Sequence, residues 1–360
     1  MTAPELVRAQ APAQHRALES LRRRPIVLGL SGLVALAVVV VAGIGLGTVS
    51  VSPADSVAIL AHHLLGWPTA ETWPRTSETI VMELRLPRVI TALVVGLGLA
   101  VAGTTFQGLL RNPLADPYVL GTASGAALGA AIAVLIPVQI ALLGLGLVNI
   151  LAFIGALLAV LLVHQVAGGG GRATLTSLLL TGYAIGSLLA AGLALAMYLS
   201  GAQLRQIFFY LLGSLAGADW QSLVVGLPIV LIGSLLIMAR ARTLNGLLLG
   251  DDTALHLGLE VRRERAILLG LASLVTAAAV AMAGLIGFVG LVVPHVMRLL
   301  VGPNARLVLP LSAIFGAVFL VLADLGARLP GELPVGIVTA VIGAPIFVVL
   351  LRRYRAGYQL

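Results

Sequence analysis

The sequence predicts an all-α, polytopic membrane protein with ten transmembrane helices, and three observations predict it. Its 360 residues are 59% hydrophobic and only 10% charged, against about 25% charged in an ordinary soluble domain, and the mean hydropathy is +1.09. Uncharged runs of roughly 20 residues, the length that crosses about 30 Å of hydrocarbon, follow one another along most of the chain. The basic residues stand at the ends of these runs, where orientation signals belong. The net charge of +8 therefore reads as topology, and no nucleic-acid partner is expected.

Residues 1–25 are polar, with Arg and Pro, and are expected to form a disordered cytoplasmic tail. No small-residue cleavage site follows a short apolar core, so no cleavable signal is expected. The cluster Arg22, Arg23, Arg24, Pro25 precedes span one, near 27–49, which opens a single transmembrane domain over 26–352. Residues 52–88 carry Trp67, Trp73 and several charges, and read as an exposed connection with interfacial aromatics. Span two lies between Arg88 and Arg111, and the uncharged stretch 117–163 holds spans three and four, broken at Ile136-Pro137. After His164 and the flexible turn Gly168 to Arg172 comes span five, within 173–204, and then a partly apolar excursion over 201–219 at the membrane surface.

Span six fills the interval between Asp219 and Arg240, and a charged insertion follows over 240–265. Residues 266–297 hold either one long span or a span and the start of a short returning one, and parity decides. With ten spans and both termini in the cytoplasm, only Arg75, Arg85, Arg88, Arg205 and Arg328 of the 22 basic residues fall outside. A single span would push the Arg352, Arg353, Arg355 cluster outside, against the positive-inside bias. Span seven is thus placed at 266–284, a short span eight ends near 301, and spans nine and ten occupy 307–328 and 335–351, before a cytoplasmic tail over 353–360.

Every basic residue is Arg, and there is no Cys. Without Lys there is no P-loop lysine or Schiff base, and without Cys no thiolate nucleophile, disulfide, thiolate zinc site or iron-sulfur cluster. No H-E-x-x-H, G-x-S-x-G or paired carboxylate pattern is present, so a lipid- or polymer-modifying membrane enzyme has little support, and no cofactor or metal is expected in this chain. Ionisable groups in spans usually mark ion pathways. Here the candidates are His164, His295, Arg298 and Asp324, each near a span end. Asp324 precedes Arg328 by four residues, which predicts an intrahelical pair. A proton- or sodium-driven secondary transporter remains the alternative reading, poorly supported by so few charges.

Helix association in lipid relies on small residues, and 42 Gly supply them. Gly121, Gly125 and Gly129 in span three, and Gly96, Ala100 and Gly103 in span two, predict close packing within the chain or a dimer or pathway face. Ala100-Val101-Ala102-Gly103 with Pro113 is echoed by Ala281-Met282-Ala283-Gly284 with Pro294, five spans on. Copies an odd number of spans apart point in opposite directions, so this is either an inverted repeat of spans 2–5 and 7–10 or coincidence in an Ala/Gly-rich chain. In the charged insertion, 244–258 carries short helical patterning, Gly hinges and an acidic cap at Asp251 or Asp252. Two short helices fit there, as a surface element or as a lever worked by a soluble motor.

Five ordered motifs resemble one family: Leu84-Arg85-Leu86-Pro87-Arg88; Gln107-Gly108 through Arg111-Asn112-Pro113-Leu114-Ala115-Asp116-Pro117; Gly250-Asp251 with Ala254 and Leu257-Gly258; Gly287-Phe288-Val289-Gly290 through Pro294-His295 with Arg298; and Glu332-Leu333-Pro334 through Thr339-Ala340 with Gly343-Ala344-Pro345. From about residue 25 to the C-terminus the chain is similar to permease subunits of type II ATP-binding cassette importers for ferric siderophores, haem or cobalamin, whose ten-span architecture agrees with the count above. The resemblance implies an inner-membrane protein that pairs with a second permease copy or paralogue. It also implies two ATPase subunits that grip the coupling helices at Leu247, Gly250, Asp251, Ala254, Leu257 and Gly258, and a periplasmic or surface-anchored binding protein that delivers substrate. It assigns docking of that protein to Arg85, Arg88 and Arg328, where exposed Arg would meet carboxylates. It places a cytoplasmic gate near Thr174, Thr176 and Ser177. ATP hydrolysis would reside on the partner chain, since this one has no Lys.

Overall fold

The computed structural model describes residues 3–47, 49–68, 70–138, 141–142, 145–168, 175–329 and 331–356. Helix α1 runs over Ala3–Gly45, α2 over Pro53–Leu65 and α3 over Arg75–Thr79, which continues through a π-helical turn at Ile80–Arg85 into α4, Leu86–Leu109. Then follow α5 (Thr122–Leu135), a two-residue-strand hairpin of β1 (Ala141–Leu142) and β2 (Leu145–Gly146), α6 (Leu147–Gly168) and α7 (Leu175–Leu199). A 3-10 turn at Gly201–Gln203 leads into α8 (Leu204–Leu211), and α9 spans Trp220–Ala239. The second half comprises α10 (Ala241–Leu248), α11 (Asp251–His256), α12 (Val261–Ala283), α13 (Val289–Val301), α14 (Ala305–Arg328) and α15 (Val335–Ala356).

Eight of these helices are long and apolar enough to cross a membrane, and α5 and α13 are shorter apolar helices. The turn into α5 and the caps of α12 and α13 explain the short pair. Helix α5 starts after Gly121 and stops at Ile136, before Pro137, and α13 starts after Phe288 and stops at Gly302, with Gly121, Phe288 and Gly302 all at positive φ. The apolar helices fall where the uncharged runs predict them. Where the sequence predicts a disordered tail over 1–25, the α1 backbone is helical from Ala3, in a segment rich in Ala, Leu, Glu, Gln and Arg, all good helix formers.

The centre of the fold is α4, buried along nearly its whole length and packed by α12, α13 and α14. Close approach there requires glycine. A Cβ at Gly96 would collide with the Gly316 carbonyl, and one at Gly103 with the Gly290 carbonyl. The α5 and α6 pair meets in the same way, Gly125 against the backbone of Gly155 and Gly129 against that of Leu151. The glycine stripes of spans two and three thus serve packing within the chain. The two repeat copies occupy unlike local structure: Gly103 lies inside α4 and Pro113 in a loop, whereas Gly284 caps α12 and Pro294 lies inside α13.

The connection over 52–88 is more folded than an exposed loop. Helix α2 lays Ile59 into a small core with Ile44, Val51, Val81 and Trp73. Trp67 is exposed, as an interfacial aromatic should be, but Trp73 is only 7% exposed, because α2 supplies a second apolar face that the hydropathy of the segment does not reveal. In contrast, α1, α6, α7 and α15 leave broad apolar faces uncovered, as helices bordering lipid do.

Candidate functional site

At the end of the molecule that carries the charged insertion, α10 and α11 form a helical hairpin. The amphipathic pattern of α10 directs Leu244 and Leu247 inward, both 1% exposed, with Leu244 against Gly108 at the end of α4. Asn245 fixes its far side: Nδ2 donates to Asn304 Oδ1 at 2.8 Å, and its own Oδ1 accepts from the Ala305 N–H at 2.7 Å. Gly250, at φ 115° and ψ 156°, and Gly258, at φ 78°, turn the chain into and out of α11 in backbone regions that favour glycine.

Asp251 is the hub of this hairpin. Its carboxylate accepts from Arg111, in the loop after α4, and from Arg265 Nη2 at 2.8 Å, on α12. Arg111 Nε also donates to the Leu247 carbonyl at 3.0 Å. Burial alone would raise the Asp251 carboxyl, but the hydrogen bonds and charges of Arg265 and Arg111 outweigh it and hold the group below the usual carboxylate range. The hairpin is thereby tied to α4, α12 and α14 at once.

Of the six coupling residues the sequence singles out, Leu247 and Ala254 are buried anchors, Gly250 and Gly258 are turn formers and Asp251 is the ion-pair hub. Leu257 alone offers a side chain with a large exposed apolar surface, 61% exposed. Beside it in the same segment stand Leu249 and Leu255, also largely exposed, which the motif match missed. The signal was available, since a leucine that does not fit the inward face of a short amphipathic helix points outward.

At the opposite end of α4 the three predicted docking arginines come together, but not as free surface groups. Arg85 is 5% exposed and donates to the carbonyls of Ile44, Gly45 and Val49. Arg328 is 3% exposed, pairs with Asp324 on its own helix at 2.9 Å and donates to the Gly43 carbonyl at 2.8 Å. Arg88 shares Asp324 at 2.9 Å and reaches Glu332 at 2.7 Å. The expectation of exposed guanidinium groups is corrected: the C-terminal carbonyls of α1 and a fully buried carboxylate satisfy them. Arg75 and Arg205 are the exposed arginines of the five predicted to lie outside.

In the predicted gate region Thr174 lies outside the described residues, Thr176 is exposed at the start of α7, and Ser177 Oγ donates to the Ala167 carbonyl of α6 at 3.4 Å. Among the described residues no group of His, Cys, Asp and Glu is arranged to hold a metal ion.

The model of the FecCD transport family matches residues 35–353. The chain is similar to the cobalamin import permease BtuC of Halobacterium salinarum, at 46% identity over 78% of this chain and 75% of the relative. It is also similar to the hemin transport permease HmuU of Yersinia pestis, at 43% identity over 77% and 84% respectively. Among solved structures, a chain described as an inward-facing conformation of a metal-chelate type ABC transporter superposes with a TM-score of 0.77 and 30% identity, covering 91% of this chain and 99% of that one. With a family model matched over most of its length and two long, closely similar relatives, this chain belongs to the FecCD transport family.

Proposed function

We propose that the chain carries a bulky metal chelate, a ferric siderophore or a related ligand such as haem or cobalamin, across the cytoplasmic membrane by alternating access, driven by ATP hydrolysed on a partner chain. The observation that carries this reading is the α10–α11 hairpin, a short helical pair tied to three core helices with an apolar edge of Leu249, Leu255 and Leu257 left open. A push on that edge reaches α4, α12 and α14 without first bending a loop. Two ATPase subunits seat on the hairpins of two paired permeases, identical or paralogous. The eight long helices and the short α5 and α13 make ten crossings, with both termini in the cytoplasm.

The binding protein, periplasmic or surface-anchored, docks at the rim built by Arg85, Arg88 and Arg328. Arg88 makes the direct contact when a carboxylate of the partner takes the place of Glu332, whose side chain is 43% exposed. Arg85 and Arg328 shape the rim by holding the end of α1. Thr174, Thr176 and Ser177 belong to the cytoplasmic gate.

The test is uptake into vesicles holding the chain with its ATPase and binding protein, offered ferric siderophores, haem and cobalamin with and without ATP. Accumulation that needs ATP and the binding protein is expected. Uptake that survives without ATP and collapses with the proton gradient would instead establish an ion-driven carrier.

A further inference from the structure

The motif around Pro294, His295 and Arg298 has no part in the coupling hairpin or the docking rim, yet it borders a cavity of about 370 Å³ where α4 and α13 end beside α10. Its polar lining is Gln107, Arg111, His295 and Arg298, and its apolar lining includes Leu248 and Leu299. Three buried polar atoms there have no hydrogen-bond partner: Gln107 Oε1, His295 Nδ1 and Arg298 Nε. Gln107 and His295 are 2% and 6% exposed, so bulk water does not satisfy them. Such atoms cost free energy unless something fills the space. Gln107 is held in place by its Nε2, which donates to the Leu291 carbonyl at 3.0 Å, and this leaves the amide oxygen as an acceptor. The charges facing the cavity are the cations Arg111 and Arg298. Among the described residues no carboxylate lines the cavity and no ion pair is made by Arg298, and the Asp251 partner of Arg111 is shared with Arg265.

The complement of this lining is an anion with several acceptor oxygens and at least one hydroxyl to donate to Gln107. We propose that the cavity binds a hydroxyl-bearing phosphate group, the headgroup of an anionic lipid such as phosphatidylglycerol. The Arg298 guanidinium donates to the phosphate oxygens. The His295 ring donates to the Pro113 carbonyl, which leaves Nδ1 as an acceptor in the neutral ring, and the glycerol hydroxyls donate to it and to Gln107 Oε1. The volume is in the range of small-ligand sites. Leu299, 63% exposed at the mouth, meets the acyl chain. The site rests on the proposed orientation, which puts it at the level of the inner-leaflet headgroups, where basic pockets between helices collect anionic lipid. Free phosphate, protonated once or twice, offers the same chemistry.

The experiment is native mass spectrometry of the full-length chain, delipidated in detergent and titrated with phosphatidylglycerol, phosphatidylcholine or inorganic phosphate. One retained phosphatidylglycerol per chain is expected, with phosphatidylcholine retained much less. Arg298→Gln is expected to weaken that retention about tenfold or more, the loss of one charge-assisted hydrogen-bonding group, while Arg263→Gln on the exposed start of α12 leaves it unchanged. Leu299→Glu, a surface change that the fold accommodates, is expected to repel the headgroup in the same way, and gives the answer if Arg298→Gln does not fold. Competition by millimolar phosphate would identify the free anion as an equal occupant. Equal retention of both lipids, or equal phosphatidylglycerol retention by the wild type and both site variants, would overturn the site. Quantitative displacement of the lipid on adding the ATPase would assign the cavity to a carboxylate of that partner instead. None of these outcomes depends on transport, so loss of the lipid site and loss of the importer reading are separately visible.

Discussion

Asp324 has no exposed surface and two guanidinium partners, and a buried ion cluster of this kind is balanced only while every member stays. Asp324→Asn leaves the buried Arg328 without its carboxylate and Arg88 with Glu332 alone. A loss of about 3–5 kcal/mol in unfolding free energy is expected, read as a lowered midpoint in a thermal unfolding assay in detergent; an unchanged midpoint would show that the cluster is dispensable. Half of this cluster is legible in the sequence, since Asp324 and Arg328 stand four residues apart on one helix. The other half is not. Arg88 reaches Asp324 and Glu332 across 236 and 244 positions, and no local pattern records such a pairing. For the same reason Arg85 reads as an outer-surface charge, although the backbone carbonyls it satisfies lie about 40 residues earlier.

A second residue-scale prediction concerns acid. Because Asp251 titrates lower in the folded chain than its ordinary value, its contribution is fully present above the unfolded value, about pH 4, and is lost as pH falls through the lower folded value. Hydrogen exchange of α10 and α11 is expected to quicken as pH drops below about 4 in wild type, after correction for intrinsic exchange. Asp251→Asn is expected to show the faster exchange already at neutral pH. Equal protection of the two proteins at neutral pH would remove Asp251 from its role as hub.

At the scale of elements, the α10–α11 hairpin depends on two backbone conformations. Gly250 sits in a region almost restricted to glycine, and Gly258 in the left-handed region. Gly250→Ala is expected to cost about 1–3 kcal/mol and Gly258→Ala about 1 kcal/mol, with ATPase stimulation by substrate reduced more by the first. If both variants couple normally, the hairpin does not need these turns. The helix stripes make a matching prediction: Gly125→Ala places a methyl against the Gly155 backbone, and an overpacking cost of about 1–3 kcal/mol is expected in the same unfolding assay. The positions of the apolar helices were legible because they follow uncharged runs that end at charges or at the Ile136-Pro137 break. The burial of Trp73 and the inward face of Ala254 were not, since both depend on what the segment folds against and not on its own composition.

For the whole molecule, the coupling reading makes Leu249, Leu255 and Leu257 a unit. Replacing all three with Asn is expected to leave the unfolding midpoint nearly unchanged, because they are exposed, and to lower ATP-driven uptake at least tenfold, about 1.4 kcal/mol of lost coupling. Full uptake by the triple variant would point to a different contact. The order of the apolar helices was legible across the chain, including the short α13. The substrate was not, because the described residues hold no converging charges at a central site from which a ligand could be inferred.

The clasp at the C-terminal end of α1 bears on how such a chain is made. The apolar part of α1, Arg24–Gly45, leaves most of its surface uncovered, yet its last carbonyls receive Arg85 and, from nearly three hundred positions later, Arg328. A helix made long before α14 is therefore completed only once α14 is in place. Until α14 is inserted, the end of α1 has only part of its complement of donors, and Arg328 arrives with both Asp324 and that open end to satisfy. Insertion in this protein is thus a sequence of provisional placements closed by one late event, and a nascent chain truncated before residue 328 should expose the end of α1 to protease that the full-length chain withstands.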